Sequence, residues 1–167
     1  MGLKNLGSRI LPPILRTLIL LIACVFSGCI NDDSPEPEGG MWSLQVGDRC
    51  PEFSVLTDKG DIVSNATIKG RGAVIIFFNT SCSDCQRELP KMQQIYEQYL
   101  QDASSVQWVC IAREEDANSI AAYWEKHGLT MPYSPQTDRK IYNLFANSEI
   151  PRVYVISPEC IITSTSL

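Results

Sequence analysis

The sequence predicts an α/β fold in which a central mixed sheet is flanked by helices. Short apolar runs typical of strands alternate with stretches whose apolar residues recur at helical spacing. One run, at residues 73–78, is apolar throughout, as in a strand buried on both faces, and it leads into Cys82-Ser83-Asp84-Cys85. Interleaved strands and helices are typical of a layered domain with one sheet at its centre.

The predicted elements follow in a regular order. Residues 53–56 and 62–64 flank the turn Asp58-Lys59-Gly60-Asp61 and predict an N-terminal hairpin. The other strands are predicted at residues 73–79, 106–112, 152–156 and 161–165, and the helices at residues 86–100, 116–127 and 139–145. The second helix ends at His127-Gly128, where an imidazole complements the helix dipole.

The first 28 residues have the pattern of an export signal. They contain Lys4, Arg9 and Arg16, no acidic residue, and an apolar run at 18–26 that is too short to span a bilayer. The following Phe26-Ser27-Gly28-Cys29 resembles the lipobox of bacterial lipoproteins, whose cysteine takes lipid and becomes the new N-terminus. We therefore predict a lipoprotein signal peptide at 1–28 and lipidation of Cys29. An ordinary signal peptide cut near the same point is the alternative.

Residues 29–43 predict a flexible acidic tether, because residues 31–40 are polar and rich in proline and glycine. Residues 44–167 then form the folded domain. All 19 acidic residues follow residue 28, and an acidic domain repels phosphate backbones, so nucleic-acid binding is disfavoured. This organisation predicts a lipoprotein of the bacterial cell envelope that faces the periplasm or the cell surface, with the outer membrane as the favoured location.

The seven cysteines divide among several predicted roles. Two cysteines two residues apart, at a strand-to-helix junction, suit thiol–disulfide exchange, because helix-start amides favour a thiolate at the first of them. The same spacing occurs in zinc sites, but the chain has no second C-x-x-C and a single histidine, so zinc is disfavoured. Cys110 lies in an apolar run, so we predict that it is buried and behaves as a small hydrophobic residue. Whether Cys50 and Cys160 pair is left open by the sequence.

Three further residues make the C-x-x-C pair more specific. Glu88 lies one turn beyond Cys85, Pro90 lies inside the same helix, and Pro151 precedes a strand, where an X-Pro bond can be cis. This arrangement resembles the thioredoxin superfamily, and within it the membrane-anchored TlpA/ResA-like thiol:disulfide oxidoreductases. The resemblance covers about residues 44–165, including an opening segment at 46–53 and a C-x-x-C-x-x-E-x-P run at 82–90.

The resemblance implies a role for each residue of the motif. Cys82 is expected to be the attacking thiol, Cys85 the resolving thiol, Pro151 the cis-proline that faces them, and Glu88 a partly buried carboxylate that tunes the pair. The residues expected to contact substrate are Ile150, Ser83 and Asp84.

The resemblance also implies a thioredoxin-like fold with an N-terminal hairpin and a helical insertion. The gap between Cys82 and Pro151 is long enough for that insertion. The family's fold closes with another helix that covers one sheet face, whereas this sequence stops at Leu167 after its last strand. We therefore expect this sequence to be truncated, because an exposed apolar sheet face promotes aggregation.

The expected function is reduction of disulfides in exported proteins by the Cys82/Cys85 pair, which a membrane reductant then resets. No metal or organic cofactor is expected beyond the redox-active disulfide of Cys82 and Cys85. The first alternative is a thiol peroxidase of the peroxiredoxin type, although Thr80 precedes Cys82 by two positions where three are usual. The second is a non-catalytic, copper-handling lipoprotein of the same fold, for which His127 is the available histidine.

Overall fold

A computed structural model of the protein describes residues 40–101 and 106–167. The predicted signal peptide at 1–28, the lipidation site Cys29 and most of the predicted tether lie outside these residues. Among the described residues, no helix combines the length and the apolar character needed to cross a membrane.

The domain begins with the predicted hairpin. Strands β1 (Ser54–Leu56) and β2 (Ile62–Ser64) pair antiparallel, with Val55 opposite Val63. A single helical turn, α1 (Asn65–Ile68), follows directly and buries Ile68. The N-terminal hairpin predicted from the sequence is therefore confirmed.

A five-stranded mixed sheet forms the centre of the domain, in the order β5-β4-β3-β6-β7. Strand β3 lies in the middle, parallel to β4 and antiparallel to β6. The outer pairs are parallel for β4 with β5 and antiparallel for β6 with β7. The strands are β3 (Ala73–Phe78), β4 (Gln107–Ala112), β5 (Tyr133–Ser134), β6 (Arg152–Ile156) and β7 (Ile162–Ser166). This topology confirms the predicted α/β class.

Helix α2 (Ser83–Gln101) follows β3 and continues through Pro90. Its buried residues are Cys85, Leu89 and Gln93, spaced four apart, so one stripe of the helix faces the core. The Gln93 amide fixes this helix to the next segment: its oxygen accepts from the Thr130 N–H at 2.8 Å, and its nitrogen donates to the Thr130 hydroxyl at 2.7 Å.

Helix α3 (Ala117–His127) has well-formed ends. The Asp116 carboxylate accepts from the backbone N–H groups of Asn118 and Ser119, at 2.8 and 3.1 Å, which is an N-cap. At the other end Gly128 adopts a left-handed φ of 63°, which terminates the helix.

Aromatic residues pack on both faces of the sheet, because adjacent residues of a strand point to opposite sides. Phe77 contacts Tyr142, Phe145 and Tyr154 on one face, with ring centroids 5.0–6.2 Å apart. Phe78 contacts Trp124 of α3 at 4.9 Å. The apolar run of β3 is thus covered on both sides, as its composition predicted.

The prediction of a helix at residues 139–145 is wrong. Only a 3₁₀ turn forms, at Tyr142–Leu144. No longer helix forms because the backbone of this segment makes hydrogen bonds with the N-terminal segment instead. The Phe145 carbonyl accepts from the Leu44 N–H at 2.8 Å, and the Asn147 N–H donates to the Trp42 carbonyl at 3.1 Å. Strand β5 was also not predicted, since two residues are too few to show a hydrophobic period.

Gly72, just before β3, gives a prediction on stability. Its φ is +85°, and a Cβ there would lie 2.7 Å from the Ile156 carbonyl oxygen. We expect Gly72→Ala to lower the free energy of unfolding by about 3 kcal/mol or more, since strain and a backbone clash add. Gly70 has a similar φ of +80° but open space around it, so Gly70→Ala should cost about 1–2 kcal/mol. Equal losses in denaturant titrations would contradict this explanation.

Candidate active site

The turn between β3 and α2 places Cys82 at the start of the helix. The Asn79 side-chain oxygen accepts from the Ser81 N–H at 2.8 Å, and the Asn79 carbonyl accepts from the Cys82 N–H at 3.1 Å. The Cys82 carbonyl then accepts from Gln86 at 3.0 Å, the first bond of the helical ladder. Cys82 therefore precedes a helix whose first N–H groups favour negative charge nearby.

The two cysteines of the motif differ in access to solvent. Cys82 is half-buried, whereas Cys85, one turn inside the helix, has an exposed fraction of 0%. Burial raises the pKa of Cys85 to about 12, and a hydrogen bond to the Cys82 side chain adds to the shift, although a backbone hydrogen bond from Asn79 opposes it. Both thiols are free. The pair is thus a dithiol with one accessible sulfur and one shielded sulfur.

Ile150 and Pro151 lie beside Cys82 in the fold, although they are far from it in the sequence. The Ile150–Pro151 peptide bond is cis. The Cys82 Sγ lies 3.5 Å from the Ile150 carbonyl oxygen, within reach of a thiol hydrogen bond. Antiparallel pairing of β3 with β6 explains the approach, since the end of β3 and the start of β6 lie at the same edge of the sheet.

An open groove of about 490 Å³ runs past the Cys82 thiol. Its lining includes five residues predicted for the site, namely Cys82, Asp84, Glu88, Ile150 and Pro151. Of the other two, Cys85 is buried beneath Cys82, and Ser83 is exposed at the first position of α2. The structure therefore gathers most of the predicted residues around one sulfur.

The carboxylates near the pair have cationic partners on the same helix. Asp84 pairs with Arg87 at 2.5 Å, and Glu88 pairs with Lys91 at 2.8 Å, both at i,i+3 spacing. The Glu88 side chain is 29% exposed, so it is half-buried. These cations offset much of the negative charge that the sequence places beside Cys82.

Sequence reasoning missed Arg113, which lines the same groove. Its Nη1 donates to the Ser148 carbonyl at 2.9 Å, and its guanidinium lies over the Tyr142 ring, 5.2 Å from the centroid. Its Nε is buried with no hydrogen-bond partner among the described residues. No local pattern in the sequence identifies Arg113, because it reaches the groove through the parallel pairing of β3 with β4, which places Ala112 beside Phe78.

Thr80 lies two residues before Cys82, and its side chain binds Glu115. Its hydroxyl donates to the Glu115 carboxylate, and its backbone N–H donates to the same carboxylate at 2.8 Å. Glu115 thereby ties the turn before Cys82 to the segment after β4. This contact fixes the position of the turn and keeps the Thr80 hydroxyl on Glu115.

His127 lies at the C-terminal end of α3, where its ring stacks on Tyr123 with centroids 4.2 Å apart. Across residues 40–101 and 106–167, no three side chains of His, Cys, Asp or Glu are grouped so as to hold a metal ion.

Comparison with known proteins places these features in context. Curated relatives include the thiol-disulfide oxidoreductase ResA of Bacillus subtilis, 25% identical over 120 residues, an alignment that spans 72% of this chain and 66% of that relative, just under two thirds of its length. ResA of Geobacillus kaustophilus is 28% identical, over 86% of this chain and 80% of its own.

A solved structure of a thiol:disulfide interchange protein of the thioredoxin family, from Chlorobium tepidum, superposes with a TM-score of 0.61 at 24% identity. The match covers 75% of this chain and 88% of that chain, and it establishes the thioredoxin-like fold. The AhpC/TSA family model matches residues 46–165, which include the hairpin, the C-x-x-C turn and the cis-proline. Because that match spans most of the chain, the protein belongs to the AhpC/TSA family.

Proposed function

We propose that this protein is a thiol:disulfide oxidoreductase that reduces disulfides in exported proteins with Cys82 and Cys85. The observation that carries the proposal is the position of the Cys82 thiol, half-buried in an open groove and 3.5 Å from the Ile150 carbonyl beside cis-Pro151. The family, and relatives named thiol-disulfide oxidoreductases, support the same class of reaction.

In the first step the Cys82 thiolate attacks one sulfur of the substrate disulfide. The substrate S–S bond breaks, a mixed disulfide with Cys82 forms, and the second substrate sulfur leaves as a thiolate that takes up a proton. An extended segment of the substrate would lie along the Ile150 backbone, as peptides do on an exposed strand edge. Ser83 and Asp84 would contact the same segment from the start of α2.

In the second step Cys85 attacks Cys82 Sγ. The mixed disulfide breaks, the Cys82–Cys85 disulfide forms, and the substrate leaves with both of its sulfurs reduced. Because Cys85 is shielded, this attack is confined to the sulfur beside it, which protects the resolving thiol from other oxidants. Glu88, in the groove with Cys82, would tune the pair through its charge.

The oxidised pair must be reset by a partner that supplies two electrons and two protons. A membrane reductant with its own dithiol would do so by the same exchange in reverse. No metal or organic cofactor is needed, because the two sulfurs carry the electrons throughout.

We also place the protein in the bacterial cell envelope, anchored through lipid on Cys29, with the outer membrane favoured. The support comes from the sequence: a basic, then apolar, export signal that ends in Ser27-Gly28-Cys29, followed by an acidic, proline-rich tether. The tether would let the domain reach exported substrates while the reductant remains in a membrane.

Cys29→Ala tests the anchor. We expect the variant to leave the membrane pellet and to appear in the soluble envelope fraction or the medium, because it has no acceptor for lipid. Fractionation in high salt measures this, with Cys24→Ala, inside the signal, as the matched control that stays anchored. A Cys29→Ala protein that still sediments with membranes would contradict the lipid anchor.

Three assays on the purified full-length protein test the function. With dithiothreitol as reductant, we expect catalysed reduction of insulin disulfides, peroxide consumption no faster than by free thiols, and no tight binding of Cu(I). Rapid peroxide consumption without insulin reduction would assign a peroxidase instead. Tight Cu(I) binding without turnover would assign a metal-handling protein.

A further inference from the structure

Two cysteines outside the active site lie side by side where the N-terminal segment meets the last two strands. Arg49 and Ile161 form an antiparallel bridge, and the Cys50 N–H donates to the Cys160 carbonyl at 2.9 Å. Cys50 and Cys160 are therefore neighbours across two antiparallel segments. In a regular antiparallel ladder such neighbours have Cα atoms about 4.5–5.5 Å apart, within the range of about 4.4–6.8 Å that disulfides require, and here the ladder ends at Cys160, which turns away with a φ of 60°.

Both residues line the same open groove. Cys50 is 2% exposed and Cys160 is 8% exposed, and the groove has a volume of about 350 Å³. Asn65 connects them, since its side-chain nitrogen donates to the Cys50 carbonyl at 3.3 Å while its own carbonyl lies 3.7 Å from Cys160 Sγ. The two sulfurs thus approach a shared space from the two segments.

Cys160 is also close enough to Cys50 to affect the ionisation of the Cys50 thiol. Burial raises the pKa of Cys50 to about 12, and the charge of Cys160 contributes to the rise. In the folded, reduced protein Cys50 is therefore a poor nucleophile at neutral pH. Oxidation of the pair would take place during folding, before the two side chains are buried.

Cys110 is a buried cysteine whose sulfur neighbour is a methionine, Met131, and not another cysteine. It is 1% exposed in β4, and its sulfur lies 3.9 Å from the sulfur of Met131. It lies in the interior of the sheet, paired with Ile76 and Tyr133. Cys110 is therefore the internal control for the pair.

We propose that Cys50 and Cys160 form a second, structural disulfide that fastens the N-terminal segment to the last hairpin. The bond forms by exchange with an oxidised dithiol protein or glutathione disulfide: two S–H bonds are lost, one S–S bond forms, and the donor disulfide is reduced to two thiols. In the cell this rests on the proposed export, because such bonds persist in oxidising compartments. The bond encloses most of the domain, so it restricts the unfolded chain strongly.

The first experiment is done on purified protein and does not depend on where the protein is located in the cell. Full-length protein is reduced, unfolded and refolded in excess glutathione disulfide, then alkylated and digested without reduction. We expect a peptide pair linked through Cys50 and Cys160, together with the Cys82–Cys85 disulfide and an alkylated Cys110. Alkylated Cys50 and Cys160 beside an oxidised Cys82–Cys85 pair would overturn the proposal.

Stability gives the second arm. The oxidised wild type should melt roughly 5–15 °C above the Cys50→Ser/Cys160→Ser variant, and dithiothreitol should remove most of that gap. The control Cys110→Ser should leave the dithiothreitol effect intact. Equal melting temperatures of wild type and double variant in both conditions would overturn the proposal. Insulin reduction by the double variant reports separately on the active site, so failure of the proposed function is distinguishable from failure of this bond.

Discussion

Replacing Cys82 with serine is expected to abolish disulfide reduction, whereas replacing Cys85 with serine should stop the protein at the mixed disulfide. In insulin assays both variants should lose at least about a hundredfold in turnover, because each removes one of two obligatory sulfurs. Only Cys85→Ser should accumulate covalent adducts with substrate on non-reducing gels. The same variant would capture native partners from an envelope extract.

Access to the groove decides which sulfur attacks. The Cys82 thiol lines the groove, whereas Cys85 is 0% exposed behind it. Iodoacetamide should accordingly label Cys82 before any other described cysteine of the reduced protein. Cys110→Ser is the control, since Cys110 is equally buried but lies away from the groove, and it should keep wild-type turnover. Adducts that form on Cys82→Ser and not on Cys85→Ser would reverse the assignment.

The sequence was sufficient for the part of the site that depends on local pattern. An apolar run bounded by a C-x-x-C pair predicted a central strand followed by a helix, and β3 and α2 form there. The motif also indicated which residues would gather around the thiol. Pro151 and Ile150 reach Cys82 because β6 pairs with β3. The sequence shows only that these two residues precede a predicted strand, and their position beside Cys82 was implied by the family resemblance.

Contacts between distant segments could not be predicted in this way. Arg113 enters the groove because β4 lies parallel to β3, and strand order is not written in any local pattern. The region predicted as a helix at residues 139–145 is held instead by backbone bonds to residues 42–44, partners nearly a whole domain away in sequence. The ion pairs of Asp84 with Arg87 and of Glu88 with Lys91 are different, since their i,i+3 spacing on one helix can be seen in the sequence itself.

Product release from the mixed disulfide is expected to accelerate about tenfold for each pH unit between about pH 6 and pH 8.5. Cys85 attacks as a thiolate, and burial raises its pKa to about 12, so the ionised fraction grows in proportion to hydroxide over this range. Forming the mixed disulfide removes the Cys82 thiol, whose hydrogen bond and charge also raise that pKa. Burial is the largest cause and remains, so the slope should persist.

Reaction with 5,5′-dithiobis(2-nitrobenzoate) separates the two steps, since attack by Cys82 releases one chromophore and attack by Cys85 releases the second. The second phase should carry the pH slope, and Cys85→Ser should lack that phase altogether. A second phase whose rate is independent of pH would contradict a simple buried thiol and would imply a proton acceptor near Cys85. Glu88 is the carboxylate to test first, because it is half-buried in the groove beside Cys82, and Glu88→Gln would then restore the slope.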